Sequence, residues 1–181
     1  MHSPFDYTHQ RIMTRILYIV RHAKAEDRAM FMADHDRNLL PDGIIAAARM
    51  GRHLQSLYIS PGLLISSTAN RARDTARTMA EQLGFDLDVI EYDSELFEGG
   101  PKAYLAVVNS LPNSVDAAMI VGHNPDVSYF SEYLTHEQIG TLRKGAVVGI
   151  AFDNIAWAEV SGRMGSVVLN VSPRDLNQQN S

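Results

Sequence analysis

An unbroken run of five apolar residues, Ile16 to Val20, constrains the fold of this chain more than any other feature. The run is rich in β-branched side chains and has no polar alternation, which is typical of a strand buried on both faces of a parallel sheet. Arg21 and His22 follow it directly. Because the carboxyl ends of parallel strands open into the crevice where α/β folds bind ligands, the sequence predicts chemistry at this point.

Strand-like and helix-like segments alternate along most of the chain. Short apolar runs predict further strands, and apolar residues at a spacing of 3.6 predict helices. The predicted strands after the first span 63–65, 87–90 and 117–121, and the predicted helices span 41–57, 68–83, 101–111 and 124–134. Such alternation implies an α/β three-layer sandwich, with a mostly parallel central sheet and helices on both faces.

The pattern changes after Gly145. Three apolar segments, 146–152, 156–160 and 166–171, follow one another with turn-forming residues between them and no helical pattern. Consecutive strands joined by tight turns pair in antiparallel fashion. We therefore predict an antiparallel C-terminal edge on the otherwise parallel sheet.

Length and composition indicate one globular domain. The chain has 181 residues, of which 45% are hydrophobic and 20% charged, and no shift in composition marks a linker. Residues 1–14 are polar and lack the apolar core of a secretory signal. We expect a flexible N-terminal leader at 1–14, a single domain at 15–176 and a C-terminal tail at 177–181.

Charge and residue usage argue against several classes of protein. The net charge of -5 and the pI near 5.7 disfavour a general nucleic-acid binder. The absence of cysteine excludes disulfides, thiolate zinc sites and cysteine catalysis. Apolar runs are too short to span a bilayer, so we expect a cytoplasmic protein without membrane partners. The oligomeric state is left open.

Three predicted core strands end in the same kind of polar residue. Arg21 and His22 follow the first, Arg71 comes shortly after the second, and His123 follows the strand at 117–121. In a parallel sheet these ends lie at one edge, so two arginines and two histidines are expected to converge. A guanidinium matches phosphate oxygens, and histidine can attack phosphorus or donate a proton. The set predicts a cationic pocket for a phosphoryl group.

Motifs of other enzyme classes are absent from the sequence. It contains no GxxxxGK[ST], no GxGxxG after a strand, no HExxH and no GxSxG. Nucleotide, nicotinamide and serine-hydrolase functions therefore lose their main support. His22, His123 and a carboxylate could in principle hold a metal ion, but Arg21 and Arg71 in the same pocket would repel it. We expect a site that needs no metal and no cofactor.

Several motifs occur together in one order along the chain. They are Arg21-His22-Ala23, the sequence STANRARDTA at 67–76, and Gly122-His123-Asn124-Pro125. In this order they resemble the motifs of the histidine phosphatase superfamily, which has the phosphoglycerate-mutase-like fold. Within it, the short length and four segments resemble the SixA-type phosphohistidine phosphatases: RHAKA at 21–25, DHDRNL at 34–39, ELF at 95–97 and SPRDL at 172–176. The similarity covers nearly everything from Arg15 to Leu176.

The resemblance implies a phosphatase that works through a covalent phosphohistidine on His22. Arg21, Arg71 and His123 would surround the phosphoryl oxygens, and water would hydrolyse the phosphorylated histidine. Elementary electrostatics agrees, because guanidinium charges favour the neutral, nucleophilic form of His22 and stabilise the transferring group. Ala23 stands where the superfamily usually has glycine, a departure that bears on loop geometry and removes no reacting group.

The sequence leaves the leaving-group acid open. Many superfamily members carry a loop carboxylate that protonates a leaving alkoxide, and Glu95 is the nearest analogue, followed by Glu98, Asp27 and Asp126. Imidazole is a far better leaving group than an alkoxide, so a SixA-like enzyme could work without a dedicated acid. The alternative is that Glu95 anchors its own loop, by capping a helix or pairing with an arginine.

The preferred substrate is a phosphohistidine protein domain in signalling, with small phosphate esters as the alternative. A further alternative, of another class, is an inactive module that binds phosphate or phosphoproteins. Structural roles compete for single residues as well. Arg21 alone would be interpreted as a strand-end arginine paired with a carboxylate such as Asp74, and Arg37 is expected to be structural.

Overall fold

A mixed six-stranded sheet forms the centre of the fold in the computed structural model, which describes residues 13–178. Its strands are β1 (Thr14–Arg21), β2 (Leu63–Ser67), β3 (Glu91–Asp93), β4 (Ala117–Gly122), β5 (Val147–Asp153) and β6 (Ser166–Val171). They lie in the order β3-β2-β4-β1-β5-β6. The first four are parallel to one another, and β5 and β6 add an antiparallel edge.

Helices cover both faces of this sheet. They are α1 (Pro41–Ser56), α2 (Asn70–Leu83), α3 (Glu95–Glu98), α4 (Gly100–Ser110), α5 (Asp126–Leu134) and α6 (Asp175–Gln178). The side chains of β1 alternate between two apolar cores: Leu17 and Ile19 pack with α4 and α5, whereas Tyr18 and Val20 pack with α1 and α2. Burial on both faces explains why the strand is a continuous apolar run. The predicted α/β three-layer sandwich with an antiparallel C-terminal edge is confirmed.

The third strand lies later in the chain than predicted. The prediction of a strand at 87–90 is wrong, because Leu87–Val89 forms a 3-10 turn and β3 begins at Glu91. The Asp86 carboxylate accepts a hydrogen bond from the Asp88 N–H at 3.0 Å. Such a local side-chain bond stabilises a tight turn in place of extended backbone.

The antiparallel edge contains two of the three predicted strands. The prediction for 156–160 is wrong, because Trp157–Glu159 is a 3-10 turn. The Glu159 carboxylate accepts a hydrogen bond from the Ala156 N–H at 3.1 Å, and the Asn109 side chain in α4 donates to two carbonyls of the segment. Because these bonds already satisfy the backbone, the segment does not join the sheet.

The predicted leader and tail lie largely outside the described residues, which exclude 1–12 and 179–181. Thr14 is the first residue of β1, and α6 extends two residues beyond the predicted domain end at 176. The division into leader, domain and tail stays a prediction. Within residues 13–178, none of the helices has the length and apolar character needed to cross a membrane.

Candidate active site

The carboxyl ends of β1, β2 and β4 meet around a cavity of about 330 Å³. In the register of β1 and β4, Arg21 lies opposite Gly122, so the residues that follow the two strands are neighbours. The cavity is lined by Arg21, His22, Ala25, Asp34, Arg37, Arg71, His123, Asn124 and Lys144. The structure therefore brings together the two predicted arginines and the two predicted histidines. A larger cavity of about 510 Å³ beside α4 is lined mostly by apolar side chains, and none of its lining residues within 13–178 is histidine or arginine.

The ring of His22 is held in one tautomer by its two neighbours. Its Nδ1 lies 2.8 Å from the backbone carbonyl of Ala23. A carbonyl can only accept, so Nδ1 carries the proton. Its Nε2 accepts a hydrogen bond from the Nε of Arg71 at 3.3 Å. The lone pair of Nε2 therefore faces the guanidinium group, and Nε2 is the nitrogen available as a nucleophile.

The environment keeps His22 uncharged. Its pKa falls to about 3, first because burial disfavours the charged ring and then because the guanidinium groups of Arg71 and Arg21 repel that charge. The hydrogen bond to the Ala23 carbonyl acts in the opposite direction. The guanidinium charges predicted from the sequence do favour the neutral ring, but burial is the larger cause. At neutral pH the ring keeps its lone pair.

Asp34 holds the guanidinium group of Arg71 in place. The Asp34 Oδ2 lies 2.7 Å from Nη2 of Arg71, and Nη1 of Arg71 donates to the Asp34 backbone carbonyl. The other carboxylate oxygen, Oδ1, lies 3.1 Å from Nε of Arg37. Partial burial would raise the pKa of Asp34, but the two guanidinium groups outweigh that effect and keep it below its ordinary value. Asp34 is therefore an anion that fixes a planar set of donors.

The second histidine is fixed through both its backbone and its ring. The His123 N–H donates to the Tyr104 hydroxyl at 3.1 Å, and that hydroxyl donates to the Leu96 carbonyl at 2.9 Å. The His123 Nε2 lies 2.8 Å from the Ser67 hydroxyl at the end of β2. A Cβ at Gly122 would overlap the Tyr104 hydroxyl, so glycine is needed at this position for the close approach.

The two histidine rings lie beside each other in the cavity, with centroids 5.1 Å apart. The pKa of His123 also falls to about 3, chiefly through burial and then through the proximity of His22 and Arg71. Its Nδ1 is buried and has no hydrogen-bond partner among residues 13–178. Both rings are therefore neutral at neutral pH, and the positive charge of the cavity comes from arginine and lysine.

The Arg21 side chain is hydrogen-bonded to the loop that precedes β5. Its Nη1 donates to the Leu142 carbonyl at 2.6 Å, and the side chain of Asn124 donates to the same carbonyl at 3.0 Å. In the described part of the chain Arg21 forms no ion pair, with Asp74 or any other carboxylate. Its charge is thus oriented by neutral groups and remains available to an anion in the cavity.

Glu95 lies outside this cavity. It is an exposed residue at the start of α3 and lines a separate cavity with residues of β3 and α4. Its carboxylate lies beside Gly99, so the side chain turns back along its own helix. Phe97 reaches the site instead: its ring centroid is 5.4 Å from that of His123 and 5.7 Å from the guanidinium carbon of Arg71. The segment after β3 thus meets the site through an aromatic ring.

Besides the apolar Ala25, four residues of the cavity lining were not predicted as site residues. Asp34 and Arg37 belong to the DHDRNL segment, and their spacing of three across a 3-10 turn is a signal that they could pair. Asn124 directly follows His123 and belongs to the Gly122-His123-Asn124-Pro125 motif. Lys144 gave no sequence signal, because it reaches the cavity through the folding of its loop onto the end of β1, where the Gly145 N–H bonds to the Arg21 carbonyl.

The arrangement suits transfer of a phosphoryl group. Four cationic side chains, those of Arg21, Arg37, Arg71 and Lys144, line one cavity together with a single carboxylate and two neutral imidazole rings. Preorganised donors of this kind stabilise the charge that develops on transferring oxygens. Among residues 13–178, histidine, aspartate and glutamate form no cluster of three that could hold a metal ion.

Known proteins are similar to this chain in both sequence and fold. Residues 17–101 match the histidine phosphatase superfamily (branch 1). An uncharacterised protein from Picosynechococcus sp. strain PCC 7002 is 31% identical over 139 residues, which is 74% of this chain and 83% of the relative. The chain belongs to the histidine phosphatase superfamily.

Solved structures of SixA-type members of the superfamily have the same fold. The SixA-type protein of Nakamurella multipartitia matches with a TM-score of 0.74 and 25% identity, covering 88% of this chain and 96% of that one. The protein histidine phosphatase SixA, solved in complex with tungstate, matches with a TM-score of 0.77 and 22% identity, covering 89% and 99%. The chain is a SixA-like member of the histidine phosphatase superfamily, and this membership supports phosphatase activity.

Proposed function

We propose that the chain hydrolyses phosphohistidine in a signalling protein domain, without a metal ion, through a covalent phosphohistidine on His22. One observation carries the proposal: Nε2 of a neutral His22 ring has its lone pair directed at the guanidinium group of Arg71, 3.3 Å away, inside a cationic cavity. A neutral imidazole is a nucleophile, and guanidinium groups bind phosphoryl oxygens. The similar SixA protein was solved in complex with tungstate, which is a tetrahedral oxyanion like phosphate, and this supports binding of such an anion by a protein of this fold.

In the first step, the Nε2 lone pair of His22 forms a bond to phosphorus while the bond from phosphorus to the substrate nitrogen breaks. The electron pair of the broken bond goes to the leaving imidazole, whose other ring nitrogen carries a proton, so it departs as a neutral ring. The Nε–H of Arg71, which had donated a hydrogen bond to Nε2, now donates it to a phosphoryl oxygen. The His22 ring becomes positively charged, and its Nδ1–H bond to the Ala23 carbonyl stabilises that charge.

In the second step, water attacks phosphorus and the bond from phosphorus to Nε2 breaks. The electron pair returns to Nε2, and both protons of the attacking water leave with inorganic phosphate, which departs as the monoanion. Arg21, Arg71 and His123 are proposed to contact the phosphoryl oxygens in both steps. The cationic lining also opposes a metal ion in the same place, which supports a mechanism without metal.

The cavity lining favours phosphohistidine over alkyl esters. An alkoxide needs a proton in order to leave, and Asp34 is the only carboxyl group in the lining of this cavity as described. Because Arg71 and Arg37 keep the pKa of Asp34 below its ordinary value, it is ionised at neutral pH and is a poor acid. A phosphorylated imidazole does not depend on such a group.

Covalent labelling tests the proposed function. With a chelator present, the purified protein is expected to hydrolyse an aryl phosphate and to carry acid-labile phosphate on His22 during turnover. His22→Ala is expected to lose both. Binding of phosphate without label would instead support an inactive binding module, and loss of activity on chelation would contradict the metal-free mechanism.

A substrate panel tests the proposed specificity. Phosphohistidine in a protein domain is expected to give a higher kcat/KM than sugar, glycerate or nucleotide phosphates. A higher value for one of the small esters would favour the alternative of a small-molecule phosphomonoesterase.

A further inference from the structure

Two large apolar side chains are almost fully exposed at one turn of the chain. Met30 is 90% exposed and Phe31 is 97% exposed. They occupy the two central positions of a turn that is closed by a hydrogen bond from the Met32 N–H to the Ala29 carbonyl at 3.2 Å. The turn therefore presents contiguous apolar surface to solvent, and such surface marks sites of interaction on folded proteins.

This turn forms the tip of a loop that begins and ends at the active-site cavity. The loop, residues 26–33, is here called the rim loop, and the residues on either side of it, Ala25 and Asp34, both line the cavity. Phe31 is three residues from Asp34, so their Cα atoms lie within roughly 11 Å of each other. The apolar tip therefore lies within a short distance of the phosphoryl-binding groups.

The base of the rim loop is fixed, although its tip is exposed. The Glu26 N–H donates to the Asn38 carbonyl at 2.9 Å, and the Asn38 N–H donates to the Glu26 carboxylate at 2.9 Å. The Arg37 side chain donates to the Glu26 carbonyl at 2.8 Å. A tip on a fixed base meets a docked partner in one position, which favours recognition of a surface over random exposure.

The charges of the rim loop favour a protein surface over a lipid surface. Asp27 and Arg28 stand side by side next to the apolar tip, with Glu26 before them. Binding to anionic membranes requires an excess of basic residues around an apolar insertion. In this loop the acidic residues outnumber the single arginine. An apolar patch with mixed charges at its edge is typical of an interface with another protein.

We propose that Met30 and Phe31 dock against an apolar patch on the phosphorylated protein domain whose phosphohistidine enters the cavity. This inference rests on the proposed function and assigns a part of the chain to recognition of the protein around the phosphoryl group. His22, which lines the cavity, is only 7% exposed. A phosphorylated side chain that reaches it brings its own protein surface against the rim, where the rim loop lies.

The test compares two substrates with the same leaving group. A double variant, Met30→Ser with Phe31→Ser, is measured on free phosphohistidine and on a histidine-phosphorylated phosphotransfer domain. We expect kcat/KM on the domain to fall by at least roughly tenfold, mainly through KM, as hot-spot contacts require. On free phosphohistidine no significant change is expected, because both side chains are exposed and neither lines the cavity.

A matched control comes from the other end of the sheet. Tyr58 is 94% exposed and lies in the connection that leads to the amino end of β2, away from the cavity. Tyr58→Ser is expected to leave both substrates unaffected. A loss on the phosphorylated domain that matches the loss on free phosphohistidine, or no loss on the domain, would overturn the docking role.

A binding measurement separates this inference from the proposed function. In a His22→Ala background, the dissociation constant for the phosphorylated domain is expected to rise when Met30 and Phe31 are replaced by serine, whether or not the wild type shows turnover. Failure of the wild type to form phosphohistidine overturns the proposed function alone. Sedimentation with phosphatidylserine vesicles that depends on the apolar tip, with unchanged binding of the domain, would identify a membrane anchor and overturn the docking role.

Discussion

The cavity floor, made by His22, Arg71 and His123, and the rim loop at 26–33 are neighbours built in opposite ways. Each floor residue is buried. His22 and His123 directly follow the ends of β1 and β4, and Arg71 lies in the first turn of α2. The rim loop is irregular, and most of it is exposed. Reacting groups must keep one geometry for every substrate molecule, so they belong on rigid elements. A contact surface for one partner needs only the right chemistry at the right place.

Asp34 connects the two regions. It directly follows the rim loop, and its carboxylate and carbonyl both hold Arg71 on the cavity floor. A change at the rim is therefore able to reach the reacting groups through one ion pair. Substitutions on the floor, at the connection and outside the cavity test whether the two regions are as distinct as their structures suggest.

Of the substitutions in this series, Arg71→Lys is expected to have the largest effect. The guanidinium group contacts His22 and Asp34 through three nitrogens in one plane, which a single ammonium cannot reproduce. We expect kcat/KM for an aryl phosphate to fall by roughly 100-fold to 1,000-fold, as when one preorganised donor is removed. Arg73→Lys, on the exposed side of the same helix, is the control and is expected to behave like the wild type. An active Arg71→Lys enzyme would mean that any nearby cation suffices.

The second prediction concerns the pH dependence of stability. With a folded pKa of about 3 and an ordinary value of 6.5, His123 stays neutral in the folded state while it binds a proton in the unfolded state between these pH values. The stability that the neutral His123 contributes to the folded state is therefore fully present above pH 6.5. It is lost as the pH falls, because protonation then favours the unfolded state. In His123→Gln, the decline in the free energy of unfolding near pH 5 is expected to be shallower by about 1.4 kcal/mol per pH unit.

Chemical denaturation between pH 4.5 and 7 measures this slope. His136 provides the control, because its side chain is exposed and remains solvated in both states. His136→Gln is expected to keep the slope of the wild type. Equal slopes in all three proteins would show that His123 is solvated in the folded state, and the contrast between a buried floor and an exposed rim would lose its electrostatic basis.

A smaller effect is expected for Asp34→Asn. Removing the carboxylate charge leaves the guanidinium groups of Arg71 and Arg37 without their counterion, so the cavity attracts anions more strongly. Competitive inhibition by inorganic phosphate is expected to become about fivefold to tenfold tighter. Asp36→Asn is the control, because this neighbouring carboxylate pairs with His35 and, in the part of the chain that the structure describes, with no arginine. Unchanged inhibition in Asp34→Asn would mean that phosphate does not compete with Asp34 for these arginines.

The central part of the fold was predictable because local pattern and tertiary environment agree there. The apolar runs of β1 and β4 are buried on both faces. Because the two strands are parallel neighbours, the residues that follow them lie side by side at one edge of the sheet. The two segments wrongly predicted as strands, 87–90 and 156–160, have apolar patterns too. In each, however, a carboxylate (Asp86 or Glu159) accepts a hydrogen bond from a nearby backbone N–H and stabilises a turn. Side-chain bonds of this kind compete with the sheet and are not visible in hydrophobic periodicity.

The cavity was predictable only in part, for a related reason. His22, Arg71 and His123 are placed by regular elements, whereas Lys144 reaches the cavity through a loop whose course depends on tertiary contacts. The same limit applies to Glu95. Its position after β3 brings the segment to the site, but the turn of α3 directs Phe97 toward His123 and leaves Glu95 exposed.

The smallest effect is expected for Glu95→Gln. A leaving-group acid must reach the departing oxygen, and removal of such an acid slows cleavage of poor leaving groups by roughly 100-fold or more. The Glu95 carboxylate lies beside Gly99 and outside the cavity, so we expect nearly unchanged kcat/KM on both an alkyl phosphate and phosphohistidine. The comparison of the two substrates is the measurement, because only an acid affects them unequally.

Asp126→Asn sharpens the comparison, since this carboxyl group at the start of α5 is half-buried and burial raises its pKa, as suits a proton donor. A selective loss on the alkyl phosphate in Asp126→Asn, with Glu95→Gln unaffected, would place the acid beside His123 at the end of β4. A selective loss in Glu95→Gln would mean that α3 moves when substrate binds, because its carboxylate does not reach the cavity in the present conformation. Small and equal effects of both substitutions would leave solvent and the leaving imidazole to supply the proton, which is the behaviour expected of an enzyme adapted to phosphohistidine.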